Sequence, residues 1–354
     1  MTEAFQALFT WGLLLWGMCR SPSVSLERRG SGARSTAGTS VEEAWDQGPS
    51  PWTTADSAIF QVRRSWVWRP VVTTSVNIEG RPDSASAASP PPFAAGIADV
   101  YQALLVPILF EPYASEMAIV AERSKPVSVL EVAAGTGALT RALRLRLDPA
   151  AEIVATDLSQ AMIDVGAPTL TMSRTHWMHA DAQDLPFAHL MFDLVACQFG
   201  VMFFPDRPKA YGEAKRVLRS GGQFLFSTWD SLAANEFARC VDESLASLFA
   251  SDPPNFLRRL PYSYFDPSSI EAEVASAGFE AVSCKRVELT SSAATAHDVA
   301  AAFCQGTPLS GEIELRAPDR MSEIVDEVTE RVASRHGSRP YGSMSALIVV
   351  GRAP

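Results

Sequence analysis

From Val127 onward, apolar and polar positions alternate in blocks of regular length. VSVLEV is a short β-branched run ending next to an acid, AAGTG is a glycine-containing turn, and from Leu139 apolar residues recur at helical spacing. The pattern predicts strand, loop and helix. It then repeats: a second strand EIVATD, a helix over residues 160–165 with Ser159 as its N-cap, and a third strand over 175–180. A fourth strand over 192–197, a helix over 208–218 and a fifth strand over 223–228 complete the series. Alternating strands and helices of this length predict one open, parallel sheet with helices on both faces. Beyond it the pattern predicts a helix over 235–249, and Asp266-Pro267 as N-cap and first turn of another ending at Gly278. A sixth strand over 281–289, helical stretches over 298–304 and 319–335, and a last strand over 346–351 follow. Upstream, residues 101–113 read as a helix interrupted at Pro107.

Composition divides the chain in two. Of its 354 residues, 47% are hydrophobic and 20% charged, with net charge −10, enough for one large or two modest domains. Residues 1–95 carry eight Arg, no Lys and eight acids, so the whole negative balance resides in the remainder. That first part holds six of the eight tryptophans yet shows no sustained period and is rich in Ser, Gly and Pro, so it reads as a disordered extension. SASAASPPP over 84–92 marks the boundary, and 96–354 the folded domain. The apolar opening, residues 5–19, follows Glu3 in place of a positive charge and lacks an A-x-A site, so a targeting segment is the weaker alternative to a cytoplasmic location. Five scattered cysteines without a C-x-x-C pair exclude a zinc ribbon, argue against a disulfide scaffold and fit a reducing compartment. An acidic domain without dense Lys or Arg runs is not a nucleic-acid binder. No uninterrupted apolar run reaches the length of a membrane span, so none is expected.

The chemistry sits at the strand ends. Gly135 and Gly137 let the backbone approach a ligand, and the following helix offers free N–H groups. A dinucleotide fingerprint would need glycine where Thr140 stands, which argues against a nicotinamide oxidoreductase. Asp157 ends the second strand about twenty residues past the loop, where a ribose would lie, and can accept two hydroxyl hydrogen bonds. Asp181 and Gln198 follow the third and fourth strands, on the same edge of the sheet. Asp184, before Leu-Pro, is a turn-former, and His176 and His179 read as ordinary strand residues.

LEVAAGTG, VATD, ADAQDLPF, FDLVACQFG and RVLRSGG together resemble class I S-adenosylmethionine-dependent methyltransferases, in the branch of the ubiquinone and menaquinone C-methyltransferases. The resemblance covers residues 127–230 and implies a Rossmann-like α/β sheet of seven strands, the seventh antiparallel and best matched by 346–351. It implies that Glu131, Ala133, Gly135 and Gly137 hold the methionine end of the cofactor, that Asp157 and Leu158 meet the ribose side, and that Asp181 and Ala182 meet adenine. Gln198 closes the methionine side. Ala133 stands where such proteins have the first glycine, and Ser220 where they have proline. The segment over 101–113 resembles one that folds over the site, with Tyr101 as a lid residue. The long insertion within 231–340 predicts a helical cap, with Phe199, Trp229, Tyr262, Tyr264 and Phe265 as substrate-side wall residues.

The activity implied is methyl transfer to a small, apolar or aromatic molecule by in-line displacement, with no metal. Such a displacement needs alignment and exclusion of water, and the sequence points to no general base. The alternative is a catalytically silent methyltransferase fold that serves as a binding or scaffold module.

Overall fold

The computed structural model describes residues 95–354 except 171–173. The extension read over residues 1–95, with its tryptophans and apolar opening, therefore lies outside the described residues apart from Ala95. The described chain opens with α1 (Ala95–Val100), a π-helical segment (Tyr101–Phe110) and α2 (Glu111–Glu122), which run on without a break. Then come β1 (Ser128–Val132), α3 (Ala138–Arg146), β2 (Glu152–Asp157), α4 (Gln160–Gly166) and β3 (Thr175–His179). They are followed by β4 (Phe192–Gln198), α5 (Arg207–Val217) and β5 (Leu218–Trp229). Helices α6 (Glu236–Leu248), α7 (Phe256–Arg259) and α8 (Pro267–Ser276) precede β6 (Glu280–Ser292). Helices α9 (Ala296–Gln305), α10 (Leu309–Arg316) and α11 (Met321–His336) precede β7 (Tyr341–Arg352).

All seven strands form one sheet in the order β3-β2-β1-β4-β5-β7-β6, with β7 antiparallel to both its neighbours. The chain moves outward from β1 to β3 and then restarts at β4 on the other side of β1. This reversal opens a crevice at the C-terminal ends of β1 and β4, where ligands of such sheets bind. Short polar residues set several helix starts: Ser159 accepts the Met162 N–H at 3.4 Å, Asp206 that of Lys209 at 3.0 Å, and Asp266 that of Ser269 at 2.8 Å.

Pro107 does not interrupt the N-terminal helix, contrary to the sequence reading. The chain absorbs it by widening into π geometry, and side chains from the sheet take up carbonyls of this segment. The Ile108 carbonyl, whose α-helical donor would be the N–H that Pro112 lacks, accepts from Ser291 Oγ at 2.6 Å. The Phe110 carbonyl accepts from Gln198 Nε2 at 2.7 Å, and Tyr113 donates to the Val287 carbonyl at 3.0 Å. The segment is thus pinned to β4 and β6. The same continuity makes one long apolar helix. The 27-residue helix Gly96–Glu122 is long and apolar enough to cross a membrane by length and composition, because Glu111 interrupts the apolar run without ending the helix. Here 44% of its most apolar stretch is buried inside the protein.

The region between β6 and β7 holds three helices where two were expected. The additional helix, α10, has Pro308 at its N-cap and buries Leu309 and Ile313. Helix α9 packs on the π-helical segment and on α11, so this insertion covers the lid from outside.

Candidate cofactor and acceptor site

Glu131 occupies the fourth position of β1, opposite Ala155 on one side and Ala196 on the other. Flanked by these small neighbours, its carboxyl is buried, with 1% exposure. Burial pushes its pKa up to about 8, against the pull of Thr140 and Arg141 nearby. After β1 the chain turns through three left-handed residues, Ala133 (φ 53°), Gly135 (φ 56°) and Gly137 (φ 85°). The turn is held by Ala134 N–H to the Thr156 carbonyl at 2.9 Å, Gly137 N–H to the Ala134 carbonyl at 2.9 Å, and Gly135 N–H to Asp157 Oδ2 at 2.7 Å. A β-carbon on Gly137 would lie 2.7 Å from the Trp177 ring, so glycine is required there for packing as well as for its backbone angle.

Asp157 ends β2 with its second oxygen accepting the Ser159 N–H at 2.7 Å. Burial raises its pKa, while the Ser159 and Gly135 N–H groups oppose the shift. Both carboxylate oxygens keep further acceptor capacity. Leu158 beside it is 56% exposed, an apolar surface next to the acid. Asp181 accepts the Gln183 N–H at 2.8 Å and bridges to Asp184, whose N–H reaches the Asp181 carbonyl at 3.0 Å, so Asp184 is part of the turn that orients Asp181 and Ala182. His176 pairs with Glu152 at 3.2 Å on the surface, away from this edge.

Across the crevice, Gly200 presses against the loop. A β-carbon there would lie 2.5 Å from the Ala133 β-carbon and 2.7 Å from Cys197 Sγ. The π-helical segment covers the top: the Tyr101 hydroxyl lies 3.6 Å from where a β-carbon on Gly135 would sit. Burial first, then the nearby Asp157 and Glu131 carboxyls, raise the Tyr101 pKa, so the phenol stays protonated. From Tyr101 a chain of rings runs inward. Phe110 stacks on Tyr101 at 5.0 Å and meets Phe199 at 5.7 Å and Trp229 at 6.1 Å. Phe199 and Trp229 stack face to face at 3.9 Å and 9°, with Tyr113 edge-on to both at 5.5 Å and Tyr262 at 5.8 Å from Trp229.

Gln198, at the end of β4, donates one amide N–H to the Phe110 carbonyl and so also anchors the lid. Other residues read from the sequence lie elsewhere. Tyr264 faces away from these rings. Its hydroxyl donates to Glu273 at 2.8 Å, it lies 3.2 Å from that of Tyr211, and Arg207 stacks over its ring at 4.1 Å. Phe265 is 41% exposed at the surface. The pattern of hydrophobic residues also passed over several members of the site. Among the described residues, buried side-chain atoms without a partner include Gln102 Oε1, Glu131 Oε2, Thr136 Oγ1, Thr140 Oγ1 and Arg141 Nη2. Buried polar groups are nearly always paired, so such a group clustered on one loop and its lid fits a zwitterionic, hydroxyl-bearing ligand. Thr140 had registered only as a missing glycine.

A family model described as a methyltransferase domain matches residues 130–226, the stretch from β1 to β5 that builds this crevice. The strand order and the antiparallel β7 agree with this match, which identifies residues 130–226 as a methyltransferase domain. The chain carries a class I S-adenosylmethionine-dependent methyltransferase domain. It is 32% identical over 127 residues to a ubiquinone/menaquinone biosynthesis C-methyltransferase of Idiomarina loihiensis, covering 35% of this chain and 47% of that protein. The counterpart in Xylella fastidiosa is 30% identical over 169 residues, covering 43% and 65%. The chain thus spans about half to two thirds of the length of these curated relatives. Among solved structures, a putative methyltransferase of Bacillus halodurans superposes with TM-score 0.43 at 18% identity, over 74% of this chain and 100% of that one. In the methyltransferase domain, the orphaned acceptors near Glu131 and the free capacity of Asp157 fit the amino-acid and ribose ends of S-adenosylmethionine.

Proposed function

We propose that this methyltransferase domain transfers a methyl group from S-adenosylmethionine to a small, apolar or aromatic acceptor by in-line displacement. When bound, the cofactor supplies a methyl group already activated on a sulfonium. The protein therefore has to bind, align and keep out water. Glu131, Gly135, Gly137, Thr136 and Thr140 would hold the methionine end, Asp157 and Leu158 the ribose side, and Asp181 and Ala182 the adenine. Tyr101 covers the loop between cofactor and solvent.

One observation carries the acceptor reading: the rings of Phe110, Tyr113, Phe199, Trp229 and Tyr262 form a continuous cluster joined to the glycine loop through Tyr101. Such walls attract flat apolar surface and offer nothing to a solvated anion. The rings themselves contribute no carboxylate or imidazole; an amine acceptor needs no proton removed first, whereas a phenol would need a proton acceptor within hydrogen-bond reach.

The test is turnover of methyl-labelled S-adenosylmethionine by the full chain with two acceptor sets. One set holds small phenols and aromatic amines, the other charged aliphatic amines and phosphates. Label in the first set is the expected result. Label confined to the second set overturns the acceptor class while leaving methyl transfer standing.

A further inference from the structure

One cationic side chain at the glycine loop has a hydrogen-bonding arm with nothing to hold. Arg141 lies one turn into α3, where its N–H bonds the Gly137 carbonyl at 3.0 Å. Its guanidinium folds back onto the loop: Nη1 donates to the carbonyl of Thr136, between the two glycines, at 2.8 Å and to Thr169 Oγ1 at 3.4 Å. Neither partner carries charge. Nη2 is buried and, among the described residues, has no partner. Other arginines of this kind are fully spent. Arg144, on the same helix, donates to the Ala151 and Asp148 carbonyls at 2.7 and 2.5 Å, and Arg216 donates to those of Phe187 and Leu185 and to the Glu213 carboxylate. Arg239 Nε is also buried without a partner, but it belongs to a side chain that already pairs with Glu243 at 3.4 Å. A charged donor held out of water and unpaired is costly, so the free arm of Arg141 marks a position for an anion.

The surroundings have the same sign. Helix α3 starts at the loop with no side chain capping its first N–H groups and no acid in its first turn, so its positive end is unopposed. Thr140 beside it is fully buried, and its Oγ1, likewise without a partner, lies 3.4 Å from where a β-carbon on Gly137 would sit, so this hydroxyl faces the loop. Burial raises the pKa of both Glu131 and Tyr101, and the Arg141 guanidinium is near enough to oppose the shift in each. The cation therefore lies close to the acid at the end of β1 and to the lid.

We propose that Arg141 binds the carboxylate at the amino-acid end of the cofactor, with Nη2 as the donor and the first turn of α3 beside it. The proposal rests on the S-adenosylmethionine reading above and divides the methionine end between two residues of opposite charge, the ammonium going to Glu131 and the carboxylate to Arg141. Nη1 keeps the Thr136 carbonyl, so the guanidinium is oriented before the carboxylate arrives. Such a site selects nucleosides with an intact amino-acid tail, because Nη2 is left unpaired by any that lack the carboxylate.

The test uses the full chain and three ligands that differ only at that end. S-adenosylhomocysteine carries both charged groups, its decarboxylated analogue the ammonium alone, and methylthioadenosine neither. Calorimetric titration of wild type and Arg141→Met gives six affinities. Wild type should prefer S-adenosylhomocysteine to the decarboxylated analogue by about tenfold or more, and Arg141→Met should lose about tenfold to a hundredfold for S-adenosylhomocysteine with no loss for the other two. Arg141→Lys keeps the charge without the fork, so its loss should be smaller and again confined to S-adenosylhomocysteine. An equal loss for all three ligands overturns the proposal and makes Arg141 a brace for the loop through Thr136. Unchanged affinity for S-adenosylhomocysteine in Arg141→Met, or a wild type that binds the decarboxylated analogue as tightly, overturns it too. If Arg141→Met does not fold, Arg141→Lys and the wild-type ranking decide by the same criteria. A folded wild type that binds none of the three overturns the S-adenosylmethionine reading itself.

Discussion

The hydroxyl of Tyr101 lies 3.6 Å from the place a β-carbon would take on Gly135. A residue of the N-terminal helix therefore forms the roof of a loop more than thirty positions away in the chain, with its hydroxyl over the glycine. Tyr101→Phe keeps the ring on Phe110 and removes the hydroxyl. We expect a loss of S-adenosylhomocysteine affinity of about 1 kcal/mol in that variant, and about 2 kcal/mol or more in Tyr101→Ala, where the roof itself is gone. Calorimetric titration of the three proteins checks this. Unchanged affinity in Tyr101→Ala would show that the lid does not touch the cofactor.

Glu131 gives the site a pH dependence. Its folded pKa of about 8 lies above the ordinary value of 4.5, so the folded protein holds an extra proton between the two. The associated stability is fully present below pH 4.5 and is lost as pH rises through about 8. A cofactor ammonium placed beside Glu131 favours the carboxylate, so binding at pH 7 should release up to about 0.9 proton per site and tighten toward pH 8. Titration in buffers of different ionisation enthalpy measures the release. Glu131→Gln should abolish it. A release that persists in the variant would assign the proton elsewhere.

Ala133 holds a backbone angle, φ 53°, that suits glycine. Ala133→Gly should raise stability by about 1 kcal/mol in thermal or denaturant unfolding, since it relieves left-handed strain. Gly200→Ala should do the reverse, because its new β-carbon would come within 2.5 Å of that of Ala133 and drive the β1 and β4 loops apart. We expect a cost of about 1–3 kcal/mol together with weaker cofactor binding. If Gly200→Ala unfolds and binds like wild type, the crevice is looser than the geometry states.

Gln198 tests the division between lid and cofactor. Its amide holds the Phe110 carbonyl at 2.7 Å. Gln198→Leu should therefore increase hydrogen exchange across the π-helical segment, a local effect of about 1 kcal/mol. Exchange limited to the glycine loop would instead return Gln198 to the cofactor.

The parts of the fold that could be read from sequence are those where local chemistry and tertiary role coincide. Ser159, Asp206 and Asp266 cap helices whichever way the chain packs, and the β-branched run VLEV forms a strand buried along its length. Where partners are remote, sequence reading fails. Pro107 looks like a helix break, yet the chain carries it inside a π-helical segment, and Ser291 and Gln198, far along the chain, hold that segment by the Ile108 and Phe110 carbonyls. The strand β7 begins at Tyr341, five residues before the apolar run, because pairing with β6 carries the polar stretch YGSMS. In the site, the glycine loop and Asp157 were legible from spacing, while Glu131 came from the family resemblance. Gln102 and Arg141 were not, since an ordinary polar residue on a helix shows its role only when burial leaves one of its polar atoms without a partner, here Gln102 Oε1 and Arg141 Nη2.

The most direct measurement is calorimetric titration of the full chain with S-adenosylhomocysteine, wild type beside Asp157→Ala. Wild type should bind in the micromolar range, and the variant should lose about 1–3 kcal/mol, the cost of removing charge-assisted hydrogen bonds to the ribose. A folded wild type that does not bind S-adenosylhomocysteine, or a variant that binds as tightly as wild type, would contradict the placement of the cofactor at this strand end.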